Sequence, residues 1–167
     1  MSTDRYVVMG VTGAGKSEIG AAFARALGVP FVEGDAYHSA ENVARMSAGV
    51  PLTDDDRREW LAALAARLRE SEQAGTGIVL SCSALKRRYR DILRQGAPDV
   101  RFIYLLGSRA LIESRLAQRR DHFMPPALLD SQLAALEPPA ADESAWVCEI
   151  DAPPSAIVDR LLALATR

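Results

Sequence analysis

Residues 6–20 read YVVMGVTGAGKSEIG. Four apolar residues run into Gly10, small residues follow, and Lys16 and Ser17 arrive where a helix would begin. Within the stretch, Gly10-Val11-Thr12-Gly13-Ala14-Gly15-Lys16-Ser17 fits the pattern G-x-x-x-x-G-K-[ST]. The glycines let the loop wrap so that successive backbone N–H groups point inward at phosphate oxygens, and the helix N-terminus adds its dipole. Lys16 is then placed to reach the β- and γ-phosphates, and Ser17 to hold Mg²⁺. A glycine-rich turn with an incidental lysine is the competing reading. The position between a strand and a helix favours a site for a nucleoside triphosphate.

Outward from this loop, apolar runs recur near residues 30–35, 77–83, 101–107 and 146–151. Helical patterns fit the gaps at 16–27, 54–73, 85–95, 109–120, 126–136 and 154–166. The first ends at Gly28 and Pro30, a helix stop. The second starts at Thr53, a good N-cap, with Asp54, Asp55 and Asp56 at the positive end of the helix dipole and Trp60, Leu61, Leu64 and Leu68 as its apolar face. Strands alternating with helices predict an α/β fold, a mainly parallel sheet covered on both faces.

At 167 residues, 49% hydrophobic and 25% charged, the chain is most simply one domain spanning 1–167 with a real core. A net charge of -2 argues against general binding to nucleic acid. The arginine-rich stretch KRRYRDILR (residues 86–94) is accordingly expected to be a solvated helix face. No apolar run approaches the ~20 residues of a membrane span. The polar N-terminus leads straight into the first strand with no signal-peptide pattern, and Cys82 and Cys148 lie in apolar runs as expected of buried, reduced thiols. A cytoplasmic protein is expected. Of its 20 basic residues only Lys16 and Lys86 are lysine. Each therefore marks a position where a compact ammonium on a slim stem is required.

The loop alone does not separate a kinase from a GTPase or a motor. The only asparagine is Asn42, so no N-K-x-D guanine signature exists. The run GIVLSCS (residues 77–83) has no carboxylate at its end, where an acid would ordinarily help hold Mg²⁺. Glu33 and Asp35, in FVEGDAYH (residues 31–38), are the alternative source. They follow a strand whose C-terminal end faces the ligand crevice of such a sheet, and their spacing sends both side chains to one side. A carboxylate there would orient an acceptor hydroxyl and take its proton. For Asp35 a helix cap or turn role remains the other reading.

Together with the loop, the segments EGDAYHSAENVARMSAGVPLTDDDRREWL (33–61), CSALKRRYRDILR (82–94), FIYL (102–105), IESRLAQRRDHFMPPALLDSQLAALEP (112–138) and DAPP (151–154) resemble the small gluconokinases, shikimate-kinase-like members of the P-loop kinases. The likeness covers nearly the whole chain. It departs from the family's usual pattern at Glu33, Ser39, Glu59, Asp121 and Leu133. It implies a five-stranded parallel sheet in a three-layer α/β/α arrangement, with a lid near residues 119–128 and an acceptor-binding helical region near 35–60. It also implies ATP and Mg²⁺ as cofactors, gluconate as a small-molecule substrate, and a homodimer. Kinases of other small acceptors, such as shikimate or a nucleoside monophosphate, and a non-catalytic nucleotide-binding protein are the alternatives. No Gly-Gly turn of the shikimate kinase kind follows the central strand.

Carried onto this chain, the resemblance makes Asp35 the base and orienter of the acceptor hydroxyl, with Glu33 supporting Mg²⁺ directly or through water. His38 would hydrogen-bond a polyol. Arg57 would take the acceptor's carboxylate, since a guanidinium fork fits one. Its competing role is pairing with the neighbouring aspartates. Lys86 would point to the transferred phosphoryl group or the acceptor, and Gln132 would hydrogen-bond the acceptor. Arg115 and Arg119 share a helix face. Arg115 is expected to pack on adenine opposite Pro153 or Pro154, and Arg119 and Arg120 to meet phosphates as the lid closes.

Overall fold

The computed structural model describes residues 2–119 and 126–166. Five strands, β1 (Arg5–Met9), β2 (Phe31–Glu33), β3 (Ile78–Ser81), β4 (Arg101–Leu106) and β5 (Trp146–Glu149), form one sheet in the order β2-β3-β1-β4-β5. Every pairing is parallel. The helices are α1 (Lys16–Leu27), α2 (Ala40–Ser47), α3 (Asp54–Ala74), α4 (Arg87–Gly96), α5 (Arg109–Ala117), α6 (Pro126–Ala135) and α7 (Pro154–Ala165). No helix among the described residues is long and apolar enough to cross a membrane.

Strand β1 explains the layering. Its side chains alternate in direction, so Tyr6 and Val8 join the core on the α1 and α7 side, with Phe23, Ile157 and Leu161. Val7 and Met9 join the core on the α3 and α4 side, with Leu61, Leu64, Leu68 and Leu93. A strand covered on both faces must be apolar throughout, and all five residues of β1 are buried. The outer strands need not be: in β5 only Cys148 is buried. Both cysteines are free and buried.

Helix α3 begins as its sequence dictates. The Thr53 hydroxyl accepts from the Asp56 amide at 3.1 Å and the Asp56 carboxylate accepts from the Thr53 amide at 2.9 Å, a reciprocal capping box. Trp60, Leu61, Leu64 and Leu68 are its buried face. The segment between β2 and α3 is more structured than the strand–helix alternation suggests. It holds a 3-10 turn at Gly34–Tyr37 and helix α2, capped by Ser39, whose hydroxyl accepts from the Asn42 amide at 3.1 Å. Eight residues of mixed polarity carry too weak a period to be read as a helix. The expected helix at 109–120 ends at Ala117.

One expectation holds only in part. In the basic stretch at 86–94, Arg87 and Arg88 are exposed, but Arg90 has no exposed surface and Tyr89 is buried. Arg87 pairs with Asp142, Arg88 with Asp54, Arg90 with Glu143, and Arg94 with Asp91 and Glu143. Apart from Asp91, these carboxylates lie 34 to 55 residues away in sequence, where charge counting along the chain does not find them.

Candidate active site

The phosphate-binding loop leaves β1 and enters α1 through Gly13 and Gly15, both at positive φ (83° and 95°). A side chain at Gly13 would also press on Leu116 and Ile112 of α5, at 3.0 and 3.1 Å. At Gly13 the loop is thus packed tightly enough against α5 that a Cβ would have to displace Leu116 and Ile112, which helps fix the backbone amides that must converge on phosphate. Lys16, the first residue of α1, folds back so that its ammonium donates to the Val11 carbonyl at 3.0 Å. Burial pushes the Lys16 pKa down; the negative charge of Asp35 opposes this most strongly, and nearby Arg119 adds to the lowering. Lys16 thus lies within electrostatic reach of Asp35 in the 3-10 turn and of Arg119 just beyond α5.

Glu33 ends β2 and accepts from two hydroxyls, Ser17 of the loop and Ser81 of β3, the latter at 2.6 Å. Ser81 in turn accepts from the Gly34 amide at 3.1 Å. Gly34 is tight here: a Cβ would stand 1.9 Å from the Ser81 carbonyl oxygen. Hydroxyl and carboxylate oxygens side by side are hard donors of the kind Mg²⁺ takes, which is commonly held by one or two protein oxygens plus substrate phosphates. The donor set at Ser17 and Glu33 fits that ion.

Asp35 does not continue the strand. It lies in the 3-10 turn, so the period-two argument that sent Glu33 and Asp35 the same way does not apply. The turn takes Asp35 to a small cavity lined by Thr12, Lys16, His38, Arg57, Ser83 and Gln132, with Met46, Leu52, Trp60 and Leu85 as its apolar walls. Five residues anticipated around the acceptor or the phosphates, Lys16, Asp35, His38, Arg57 and Gln132, meet there.

His38 stacks on Trp60, ring centroids 4.0 Å apart and planes 20° apart. Trp60 is locked by its indole N–H, which donates to the Gly34 carbonyl at 2.8 Å. Burial pushes the His38 pKa below its ordinary value; Asp35 raises it and Arg57 lowers it. Burial thus favours the neutral imidazole, the form that can both donate and accept, as a polyol requires. Gln132 accepts from the Thr12 amide at 2.6 Å, tying α6 to the phosphate loop.

Arg57 does not pair with its neighbouring aspartates. Among the described residues its one hydrogen bond is a long one, 3.4 Å, to the Tyr89 hydroxyl, its guanidinium lies over the Tyr89 ring at 5.3 Å, and its Nε is buried with no partner. The aspartates are engaged elsewhere: Asp54 by Lys86, Arg88 and Tyr89, Asp55 by Arg58, and Asp56 by Arg45. Lys86 donates to Asp54 at 3.1 Å and does not line the cavity.

On the nucleotide side, Arg115 donates to the Ile150 carbonyl at 2.7 Å and lies beside Gly15. It therefore bridges the phosphate loop and the loop that leads to Pro153, which caps α7. Pro154 lines a surface groove between α1 and α7 with Glu18 and Ala22. Arg119 is exposed just beyond α5. Arg120 and most of the expected lid lie outside the described residues.

Sequence reasoning took Trp60 only as core and gave Ser81, Ser83 and Tyr89 no part in the site. Ser81 ends β3 and Ser83 lies just past it, at the C-terminal edge of the parallel sheet, a signal that could have found them. Trp60 and Tyr89 carried no such signal, because each does its work through a partner distant in sequence.

Comparison with known proteins agrees with this geometry. A family described as an AAA domain matches residues 6–139. The gluconokinase of Gluconobacter oxydans is 46% identical over 156 residues, covering 93% of this chain and 88% of that one. The crystal structure of a gluconokinase from Sinorhizobium meliloti superposes with a TM-score of 0.88 at 47% identity, covering 96% of this chain and 90% of that one. Shikimate kinase from Bacteroides thetaiotaomicron shares the fold at 20% identity, TM-score 0.71, over 98% of this chain and 99% of that one. Near half-identity over nine-tenths of both chains, on one fold, shows that this chain belongs to the gluconokinase family.

Proposed function

We propose that the chain transfers the γ-phosphoryl group of ATP to the 6-hydroxyl of D-gluconate, giving ADP and 6-phosphogluconate. The observation that carries this reading is Arg57: a guanidinium in the wall of the cavity beside the phosphate loop, its Nε buried without a partner among the described residues. A buried donor left unsatisfied costs about 1–3 kcal/mol, and an acceptor carboxylate would satisfy it with a charge-assisted bond.

The remaining groups supply the rest of a phosphoryl transfer. Asp35 orients the acceptor hydroxyl and takes its proton as the oxygen bonds phosphorus and the bond to ADP breaks. Neutral His38 and Gln132 bind acceptor hydroxyls. Lys16, with Arg119 from the lid side, meets the charge that spreads over the transferring group. Arg115 and the Pro153 loop form the adenine end. Ser17 and Glu33 would hold Mg²⁺, which when bound neutralises phosphate charge.

The test is a coupled ADP-release assay with Mg·ATP against D-gluconate, other sugar acids, shikimate and nucleoside monophosphates. Gluconate is expected to be the strong acceptor, with Arg57→Met losing it chiefly through KM. A strong response to shikimate or a nucleoside monophosphate with gluconate inert would overturn the reading.

A further inference from the structure

The segment between β3 and α4 forms one wall of the acceptor cavity through Ser83 and Leu85. The Ser83 carbonyl also accepts from the Gly10 amide at 3.3 Å, so the same segment touches the start of the phosphate loop. Its middle residue, Ala84, is held at φ 45°, a left-handed conformation that a residue with a Cβ rarely adopts. Something must hold it there.

That something is Arg90. One guanidinium nitrogen, Nη1, donates to the carbonyls of Ala84 at 2.8 Å and Leu85 at 3.3 Å. The opposite edge, Nε and Nη2, forms a two-pronged bond to the Glu143 carboxylate at 2.6 and 3.0 Å. Glu143 is itself fixed by Arg94 at 2.8 Å and by the Ala140 amide at 2.8 Å. Both side chains are almost fully buried, at 0% and 1% exposure. Buried ion pairs contribute little net stability compared with apolar residues of the same volume. What the pair supplies is direction, because a planar fork gripped on one edge aims its other edge.

We propose that Arg90, clamped by Glu143, is a positioning residue for phosphoryl transfer. It holds Ser83–Leu85 in the strained turn that sets the acceptor wall against the phosphate loop. This rests on the reading of the cavity as the acceptor site. Arg90 touches neither substrate and acts only through the turn.

The test compares wild type with Arg90→Lys and with the apolar pair Arg90→Met/Glu143→Leu, measuring thermal unfolding, kcat and the KM for gluconate. A lysine can still pair with Glu143, but its single ammonium cannot also grip both carbonyls. Both variants are expected to unfold cooperatively and to lose about tenfold to a hundredfold in kcat/KM, the scale of a displaced reacting geometry. Adding Ala84→Gly to Arg90→Lys is expected to recover part of that loss, since glycine adopts the left-handed turn without a clamp. A merely structural pair would not be rescued this way. Folded variants with wild-type kcat and KM would overturn the proposal. So would a failure of every replacement to fold, which would make the pair a core element only. Should wild type itself be inert on gluconate, the functional reading fails separately, and the comparison runs on the strongest acceptor of the panel.

Discussion

Glu33 and Asp35 are two residues apart and face different partners. Glu33 is held by the hydroxyls of Ser17 and Ser81, on the phosphate side. Asp35, carried away by the 3-10 turn, lines the cavity beside the phosphate loop with Lys16. Their substitutions should therefore separate. Asp35→Asn keeps shape and removes the proton acceptor, and kcat is expected to fall ~10²–10⁴-fold with ATP affinity intact by calorimetry. Glu33→Gln is expected to raise the Mg²⁺ concentration needed for half-maximal rate, with partial recovery in excess metal. Rescue of Asp35→Asn by metal would show the two roles to be reversed. His38 gives a prediction in pH. Its pKa in the folded protein lies below the ordinary 6.5, so the unfolded chain binds the extra proton first. Stability linked to this group is full above pH 6.5 and declines as pH falls through the folded value. The imidazole is expected to titrate with a midpoint below 6.5 by NMR, assigned through His38→Gln, and that variant should lose this segment of the stability profile.

At the scale of elements, the acceptor side is held by one residue of the α3 cap. Asp56 closes the capping box with Thr53 and also accepts from Arg45 of α2, while its carbonyl accepts from Asn42 at 2.7 Å. The start of α3 and the whole of α2 are thus joined, and Arg57 is the next residue along. Thr53→Ala removes one side of the box and should cost about 1 kcal/mol by denaturant titration. Because the frayed turn bears Arg57, the KM for gluconate is expected to rise more than kcat falls. Equal change in both, or none in KM, would mean that Arg57 is held by Tyr89 without help from the cap.

For the whole molecule, elements from several parts of the chain meet at one crevice. The C-terminal ends of β1, β2 and β3 deliver the phosphate loop, Glu33 and Ser83, and α6 reaches across to Thr12 through Gln132. A ligand in that crevice touches elements from both core layers, so binding should be felt in global unfolding. Mg·ADP at a hundred times its dissociation constant is expected to add about 2.7 kcal/mol to the unfolding free energy, read as a raised midpoint. Lys16→Ala should remove most of that increment while leaving the ligand-free midpoint close to that of wild type. A variant stabilised as much as wild type would remove Lys16 from nucleotide binding.

Local chemistry was legible in the chain because local rules determine it. The glycines and Lys16 of the phosphate loop, the Thr53 cap and the apolar face of α3 each depend on residues a few positions apart, and the alternating pattern implied the parallel sheet. Pairings across the fold were not legible. The turn that parts Asp35 from Glu33, the stacking of His38 on Trp60, and the burial of Arg90 on Glu143, 53 residues away, depend on which surfaces meet when the layers close. Arg87 and Arg88 on the same helix stay exposed, and only Arg90, which meets a buried carboxylate, is drawn fully into the core. Spacing along a chain sets direction within an element, whereas desolvation and charge pairing are properties of neighbours in space, and only the tertiary structure supplies those.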